Sequence, residues 1–348
     1  MTARVFLDHN ATCPLRDAAR SAMIDAIDVV GNPSSVHAEG RAAKALIERA
    51  RGQVAAALGA EGADVVFTSS ATEAAALALA GRALECGAVE HDAVLAWCRA
   101  DLPVGVDGRV EVSRPRSATL QLANSETGVI QVLPEGLAVS DITQGFGKLP
   151  VAFNWLGCDM ALVSAHKLGG PKGVGALVIK RGTEVAARIK GGGQEMGRRA
   201  GTENVIGIAG FGAAAEAAAR DLAAGVWDRV AERRDRFEAM ILDAAPGVIV
   251  AGQGAARLPN TSCVVTPGWK GETQVMQMDL AGFAISAGSA CSSGKVRASR
   301  VLRAMGFDDM AAASAIRVSL GPETTDDEIM RFADTWLAHH KKYRARAA

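Results

Sequence analysis

Four short segments of this chain carry residue types that could do chemistry together. Residues 164–173, Ser-Ala-His-Lys-Leu-Gly-Gly-Pro-Lys-Gly, set Lys167 between an apolar run and a glycine-rich turn, where a strand ends beside a cleft. A lysine partly desolvated there favours its neutral, nucleophilic amine, the form that condenses with an aldehyde to a Schiff base. Residues 67–73, Phe-Thr-Ser-Ser-Ala-Thr-Glu, read as a strand leading into a helix capped by Ser70 and Glu73, and the free amides of a helix start suit a phosphate. Asp141 ends an apolar run just ahead of Gln144. A carboxylate so placed can pair with a pyridinium nitrogen and keep it protonated, so that the ring acts as an electron sink. Cys291 lies in Ser-Ala-Gly-Ser-Ala-Cys-Ser-Ser-Gly-Lys, small residues that cannot anchor themselves in a core, with Lys295 and Arg297 near enough to favour its reactive thiolate. Each segment alone has a plainer reading. A lysine beside a turn is normally solvated, Ser-x-x-Glu caps ordinary helices, a lone aspartate forms turns, and free cysteine is commonly buried and inert.

Placing these groups around one cleft requires an α/β framework. From about residue 40 to 225, alanine-rich helical patterns alternate with the apolar runs Val65-Val66-Phe67, Ala161-Leu162-Val163 and Ala176-Leu177-Val178-Ile179, the rhythm of a mainly parallel sheet covered by helices. Glu203 to Ala224 reads as a long apolar helix and Val226 to Leu242 as an amphipathic one. The expected division is a large domain over 16–225 and a smaller α+β domain over 226–348, joined by residues 1–15. The smaller part shows strand-like Val248-Ile249-Val250, Cys263-Val264-Val265 and Ile316-Arg317-Val318, then a closing helix begun by the capping box of Thr325 and Glu328. Between Ala123 and Asp141 the chain is too short for a normal helical crossover, which predicts a connection without a helix and a sheet uncovered there.

The bulk composition excludes several classes. Lysine plus arginine balances aspartate plus glutamate at 38 each in 348 residues, which leaves no field of one sign to hold DNA or an anionic membrane. No apolar stretch reaches the ~20 residues of a membrane span, and the start, Met-Thr-Ala-Arg-Val-Phe-Leu-Asp, lacks a secretory pattern, so the expected location is cytoplasmic. Six cysteines without a Cys-x-x-Cys pair argue against a metal site and against a disulfide framework.

The segments occur with others in a characteristic order: Asn10-Ala-Thr, Gly31-Asn-Pro-Ser-Ser, the 68–73 turn, Glu90-His91, Glu126-Thr-Gly, Asp141-x-x-Gln144, Ser164-x-His-Lys167, Gly191-Gly-Gly-Gln-Glu, Arg199-Ala-Gly-Thr-Glu-Asn and Ser289-Ala-Cys291. From about residue 5 to 335 the sequence resembles the cysteine desulfurases of the NifS/IscS branch, in the class V aminotransferase group of pyridoxal-phosphate enzymes with fold type I. The resemblance implies pyridoxal 5'-phosphate as cofactor. Lys167 would carry it and later move the substrate proton, His91 would stack on its ring, Asp141 would pair with the ring nitrogen and Gln144 would bond the ring hydroxyl. Ser125 would touch it where relatives have an asparagine. Ala71, Thr72, Ser164 and His166 would hold the phosphate, with Thr202 reaching in from the second subunit of a homodimer. Asn32 and Arg317 would bind L-cysteine, Arg317 clamping its carboxylate, and Cys291 would take the sulfur as a persulfide. The sulfur would then pass to thiolated tRNA or to a protein acceptor such as an iron–sulfur scaffold.

Competing readings are a selenocysteine lyase or aminotransferase on the same fold, and a trimmed, weakly active homologue that serves as a binding partner. The chain departs from the family pattern at Ser70, Ala75, Ala76, Ser125 and Met196, in shorter stretches from His91 to Asn124 and from Ser125 to Asp141, and in lacking the longer tail that helps relatives dock an acceptor.

Overall fold

A computed structural model describes residues 4–288 and 298–347. Cys291, Lys295 and Arg297 lie outside the described residues. The first part of the chain comprises β1 (Val5–Phe6), α1 (Asp17–Ile27), α2 (Ala38–Ala57), β2 (Asp64–Thr68), α3 (Ala71–Leu79), β3 (Glu85–Gly87), α4 (Asp92–Leu95), β4 (Arg99–Leu102), β5 (Leu137–Asp141), β6 (Cys158–Ser164), β7 (Gly175–Ile179) and α5 (Val205–Ala223). Strands β2, β7, β6 and β5 form one sheet in that order. β5 and β6 are parallel, whereas β7 runs antiparallel to both of its neighbours. Parallel bridges from Val139 to Thr119 and from Ala118 to Glu85 carry the sheet on to β3, which pairs parallel with β4. Counted through these bridges, the sheet is mainly parallel, and β7 is its exception.

The strands read as unbroken apolar runs because helices cover both faces. Val65, Phe67, Ala161, Val163, Ala176 and Val178 point to one face, where Ile47 and Ala50 of α2 and Ile208 and Phe211 of α5 pack on them. Their neighbours Val66, Met160, Leu162, Leu177 and Ile179 point to the other, against Ala74 and Leu77 of α3. The period of 2 along each strand sorts these side chains between the two layers.

Gly225 separates α5 from α6 (Val226–Ala244) with φ of 64°, a left-handed conformation that costs glycine no Cβ clash. Then follow β8 (Ile249–Val250), β9 (Thr261–Val265), α7 (Gly271–Leu280), β10 (Phe283–Ala284), β11 (Ser286–Ala287), α8 (Arg300–Ala304), α9 (Asp309–Ala312), β12 (Ala315–Ser319) and α10 (Asp326–Ala347). An antiparallel sheet of order β11, β12, β9 and β8 builds a second core with α6 and α10, in which Phe237 and Phe332 lie 5.6 Å apart between ring centres. The first strand joins this part: β1 pairs parallel with β10, and Asp8 bridges to Ser319. The capping box at α10 forms in both directions, Glu328 N donating to Thr325 Oγ1 and Thr325 N to Glu328 Oε2.

Two expectations are corrected in detail. The apolar helix starts at Val205 because Asn204 caps it, its Oδ1 accepting from Gly207 N at 3.0 Å. The connection from Ala123 to Leu137 has no helix, as its length predicts, yet the sheet is not uncovered there. The chain doubles back through an Ala123–Ile130 bridge and docks on the second part through a Val129–Arg257 bridge, so Leu120 and Leu122 stay buried while Val132 is 80% exposed.

Candidate active site

β2, β5 and β6 run in one direction, so Thr68, Asp141 and Ser164 end along a single edge of the sheet. The crevice beyond the carboxyl ends of such strands is where α/β folds bind ligands. A cavity of about 290 Å³ opens there, and it brings together Ala71, Thr72, His91, Ser125, Asp141, Gln144, Ser164, His166, Lys167 and Arg317. These come from elements spread over almost the whole chain.

One end of the cavity is the start of α3. Ser70 is its cap, with Oγ accepting from Glu73 N at 3.4 Å, while the Glu73 carboxylate accepts from Ser69 N at 2.8 Å and from Arg199 Nε at 2.9 Å. The amides of the first helical turn have no carbonyl partner within the helix and carry partial positive charge. Gly175 pairs with Thr68 on one side and Ser164 on the other. A Cβ on it would stand 2.6 Å from the Ser70 carbonyl carbon and 2.9 Å from Ala71 N, so only a residue without a side chain lets β7 pass this close beneath the helix start.

Lys167 ends a 3-10 turn, Ala165–Lys167, directly after β6. Its Nζ donates to the main-chain oxygens of Asn10 at 2.6 Å and Ala11 at 2.9 Å. Beside it, His166 Nδ1 lies 3.1 Å from Thr12 Oγ1, and burial, then the Lys167 and Lys172 charges, hold the imidazole pKa down to about 4, so the ring is neutral at pH 7. Asp141 Oδ1 accepts from Thr143 N at 2.9 Å, which fixes the carboxylate at the strand end. His91 caps α4, its Nδ1 accepting from Ala93 N at 3.1 Å, so the proton of a neutral ring sits on Nε2. The neighbouring Glu90 is buried, and burial followed by the Asp141 charge raises its carboxyl well above the usual range.

Gln144 lines the cavity, but both ends of its amide are engaged: Nε2 donates to Asn10 O at 3.0 Å and Oε1 accepts from Lys148 Nζ at 2.8 Å. That places it as a brace for Asn10. Arg317, 2% exposed on β12, donates to Asp8 Oδ1 at 2.8 Å and to Ser125 O at 3.1 Å, and its buried Nε has no protein partner. Two of the expected residues are not in this cavity. Asn32 is exposed and its Oδ1 accepts from Ser34 N at 2.9 Å, which closes a local turn; Thr202 is exposed and borders a different, smaller cavity. Sequence reasoning gave no role to Asn10 and Ala11, whose contribution is made by main-chain oxygens. Their signal was the Asn-Ala-Thr motif itself.

The donor set fits pyridoxal phosphate. There is a helix start and a strand-end serine for the phosphate, a carboxylate for the ring nitrogen, and a lysine at the cavity wall.

Residues 5–106 and 113–332 match the family described as aminotransferase class-V. A cysteine desulfurase of Cereibacter sphaeroides is 40% identical over 369 residues, spanning 95% of this chain and 94% of its own length. A cysteine desulfurase of Klebsiella pneumoniae is 38% identical, with 94% and 90% covered. Among solved structures, a NifS-like protein from Rickettsia africae superposes with a TM-score of 0.87 at 31% identity, covering 96% of this chain and 98% of that one. A family match over most of the chain, together with relatives this similar over nearly their full length, settles the descent: the chain belongs to the class-V aminotransferases, among proteins named cysteine desulfurases.

Proposed function

We propose that this chain is a pyridoxal-phosphate-dependent cysteine desulfurase that converts L-cysteine to L-alanine and leaves the sulfur as a persulfide on Cys291. The observation that carries this reading is a single cavity joining Lys167, Asp141, His91 and Arg317. When bound, pyridoxal phosphate supplies an electron sink for charge developing at the substrate carbons. Arg317, at the wall of the same cavity, orients the amino acid by its carboxylate. Lys167, at the cavity wall, would hold the cofactor and move the proton at the substrate Cα. The Cys291 thiolate attacks the substrate sulfur; a new S–S bond forms as the Cβ–S bond breaks, its electron pair stays on the carbon side, and protonation at Cβ gives the methyl group of alanine.

The rest of the reading concerns assembly. Residues 16–225 hold the cofactor, and residues 226–348 with 1–15 supply Arg317 and the active cysteine. The molecule is a homodimer in which Thr202 and Asn32 serve the partner's site. Support comes from the exposed apolar Val30, Val36, Met196 and Ile206, which flank those two residues in sequence, and from the position of both outside their own chain's cavity. The sulfur goes to a protein acceptor such as an iron–sulfur scaffold. Among the described residues no helix is long and apolar enough to cross a membrane, and we place the enzyme in the cytoplasm.

The test is direct. Protein reconstituted with pyridoxal phosphate should turn yellow, change its visible spectrum on addition of L-cysteine, and yield alanine together with a persulfide on Cys291. Failure to take up the cofactor would sink the assignment. For the carboxylate clamp, Arg317→Lys should raise KM for cysteine about 10- to 100-fold, the ~1.5–3 kcal/mol of a charge-assisted hydrogen bond, while the cofactor spectrum is kept. An unchanged KM would remove Arg317 from substrate binding.

A further inference from the structure

Beneath the cavity lies a second lysine that the reaction described above does not use. Lys148 is 2% exposed, and its Nζ donates to Gln144 Oε1 at 2.8 Å and to Asn10 Oδ1 at 3.0 Å. The main-chain oxygen of that same Asn10 receives Lys167 Nζ at 2.6 Å and Gln144 Nε2 at 3.0 Å. Lys148 therefore grips both groups that meet at the acceptor of Lys167. Asn10 is held from elsewhere too, through Ser125 O, Thr261 Oγ1 and Asn260 Nδ2, but none of these contacts brings a charge.

The charge is the unusual part. The ionisable groups that face Lys148 are Cys13 from the segment after β1, Lys167 from the turn after β6, and Arg317 from β12, while His9 feels the Lys148 charge from the strand side. Burial raises the Cys13 thiol and, as the largest cause, lowers His9 to about 4, so both are neutral at pH 7. Arg317 is already paired with Asp8. The two side-chain acceptors of the Lys148 ammonium are amide oxygens, and burial, followed among the lowering causes by Lys167 and Arg317, brings its pKa down to about 8. It is still mostly protonated at pH 7.

We propose that Lys148 is a positioning residue for the cofactor-carrying lysine: its hydrogen bonds fix the Asn10 side chain and the Gln144 amide that braces Asn10, whose main-chain oxygen receives the Lys167 nitrogen, and its buried charge opposes protonation of that nitrogen. The inference rests on the reading of Lys167 as the lysine that binds the cofactor. A like charge disfavours the protonated form of its neighbour, so removing it should raise the pH at which the bound cofactor changes colour.

The experiment is a spectrophotometric pH titration of the reconstituted protein without cysteine, on the parent and on Lys148→Met, Lys148→Gln and Lys148→Arg. The two neutral variants should titrate about one pH unit higher than the parent. Lys148→Gln can still donate to one acceptor, so a shift in both neutral variants identifies the charge. Lys148→Arg, which keeps the charge, should titrate with the parent. Neutral variants that bind cofactor and titrate with the parent overturn the proposal. So does a failure of both to fold, which would make Lys148 a structural residue only. A parent that takes up no cofactor would instead overturn the reading of Lys167 itself.

Discussion

Lys167→Ala protein should fold, lack the visible band of the reconstituted parent, and make alanine from cysteine at least about 10³-fold more slowly. The covalent point of attachment is gone, and with it the group that moves the Cα proton, a loss worth ~10²–10⁴-fold by itself. Folding survives because Lys167 is half-buried at the cavity wall and contributes nothing to either apolar core. Its removal leaves Ala11 O without this donor, whereas Asn10 O keeps the Gln144 amide. A buried carbonyl left unpaired costs ~1–3 kcal/mol, which a cavity open to water reduces. Absorbance and an alanine assay check both halves. A yellow variant with parental turnover would place the cofactor bond elsewhere.

Cys291→Ala should fail differently. Its cofactor site is intact, so the protein is yellow and cysteine still perturbs the spectrum. No persulfide forms on the protein, and alanine production falls by about 10²-fold or more, as expected when a nucleophile is lost. The two variants separate electron withdrawal from sulfur capture. If Cys291→Ala made alanine and sulfide at the parental rate, a lyase or transaminase working from Lys167 would be the better account.

Much of the site was legible because its chemistry sits in side chains at strand ends. Lys167, Asp141 and Ser164 each close an apolar run, and Ser70 with Glu73 announces a helix start. An apolar run followed by a polar residue and a turn already specifies which edge of the sheet that residue occupies. Other parts have no such signature. Asn10 and Ala11 act through main-chain oxygens, which every residue possesses. Strands of two residues, such as β1, β10 and β11, are too short to show a period, and the pairing of Val5 with Phe283 spans most of the chain. Gln144 and Lys148 stand four apart and brace each other only because the turn after β5 coils back on itself, with Lys148 N donating to Gly145 O at 3.0 Å. Spacing alone would suit a surface helix equally well.

Residues 8–11 set the alignment between two ends of the substrate. Asp8 holds Arg317, the group proposed for the carboxylate, while Asn10 and Ala11 hold Lys167, the group proposed for the Cα proton. The guanidinium comes from β12 and the amine from the turn after β6, in different sheets, yet both are held by one short segment that is itself bonded to Ser319 O through His9 N and, just beyond it, to His166 O through Cys13 N. The spacing of guanidinium and amine is therefore referenced to residues 8–11 and not to the seam between two cores alone.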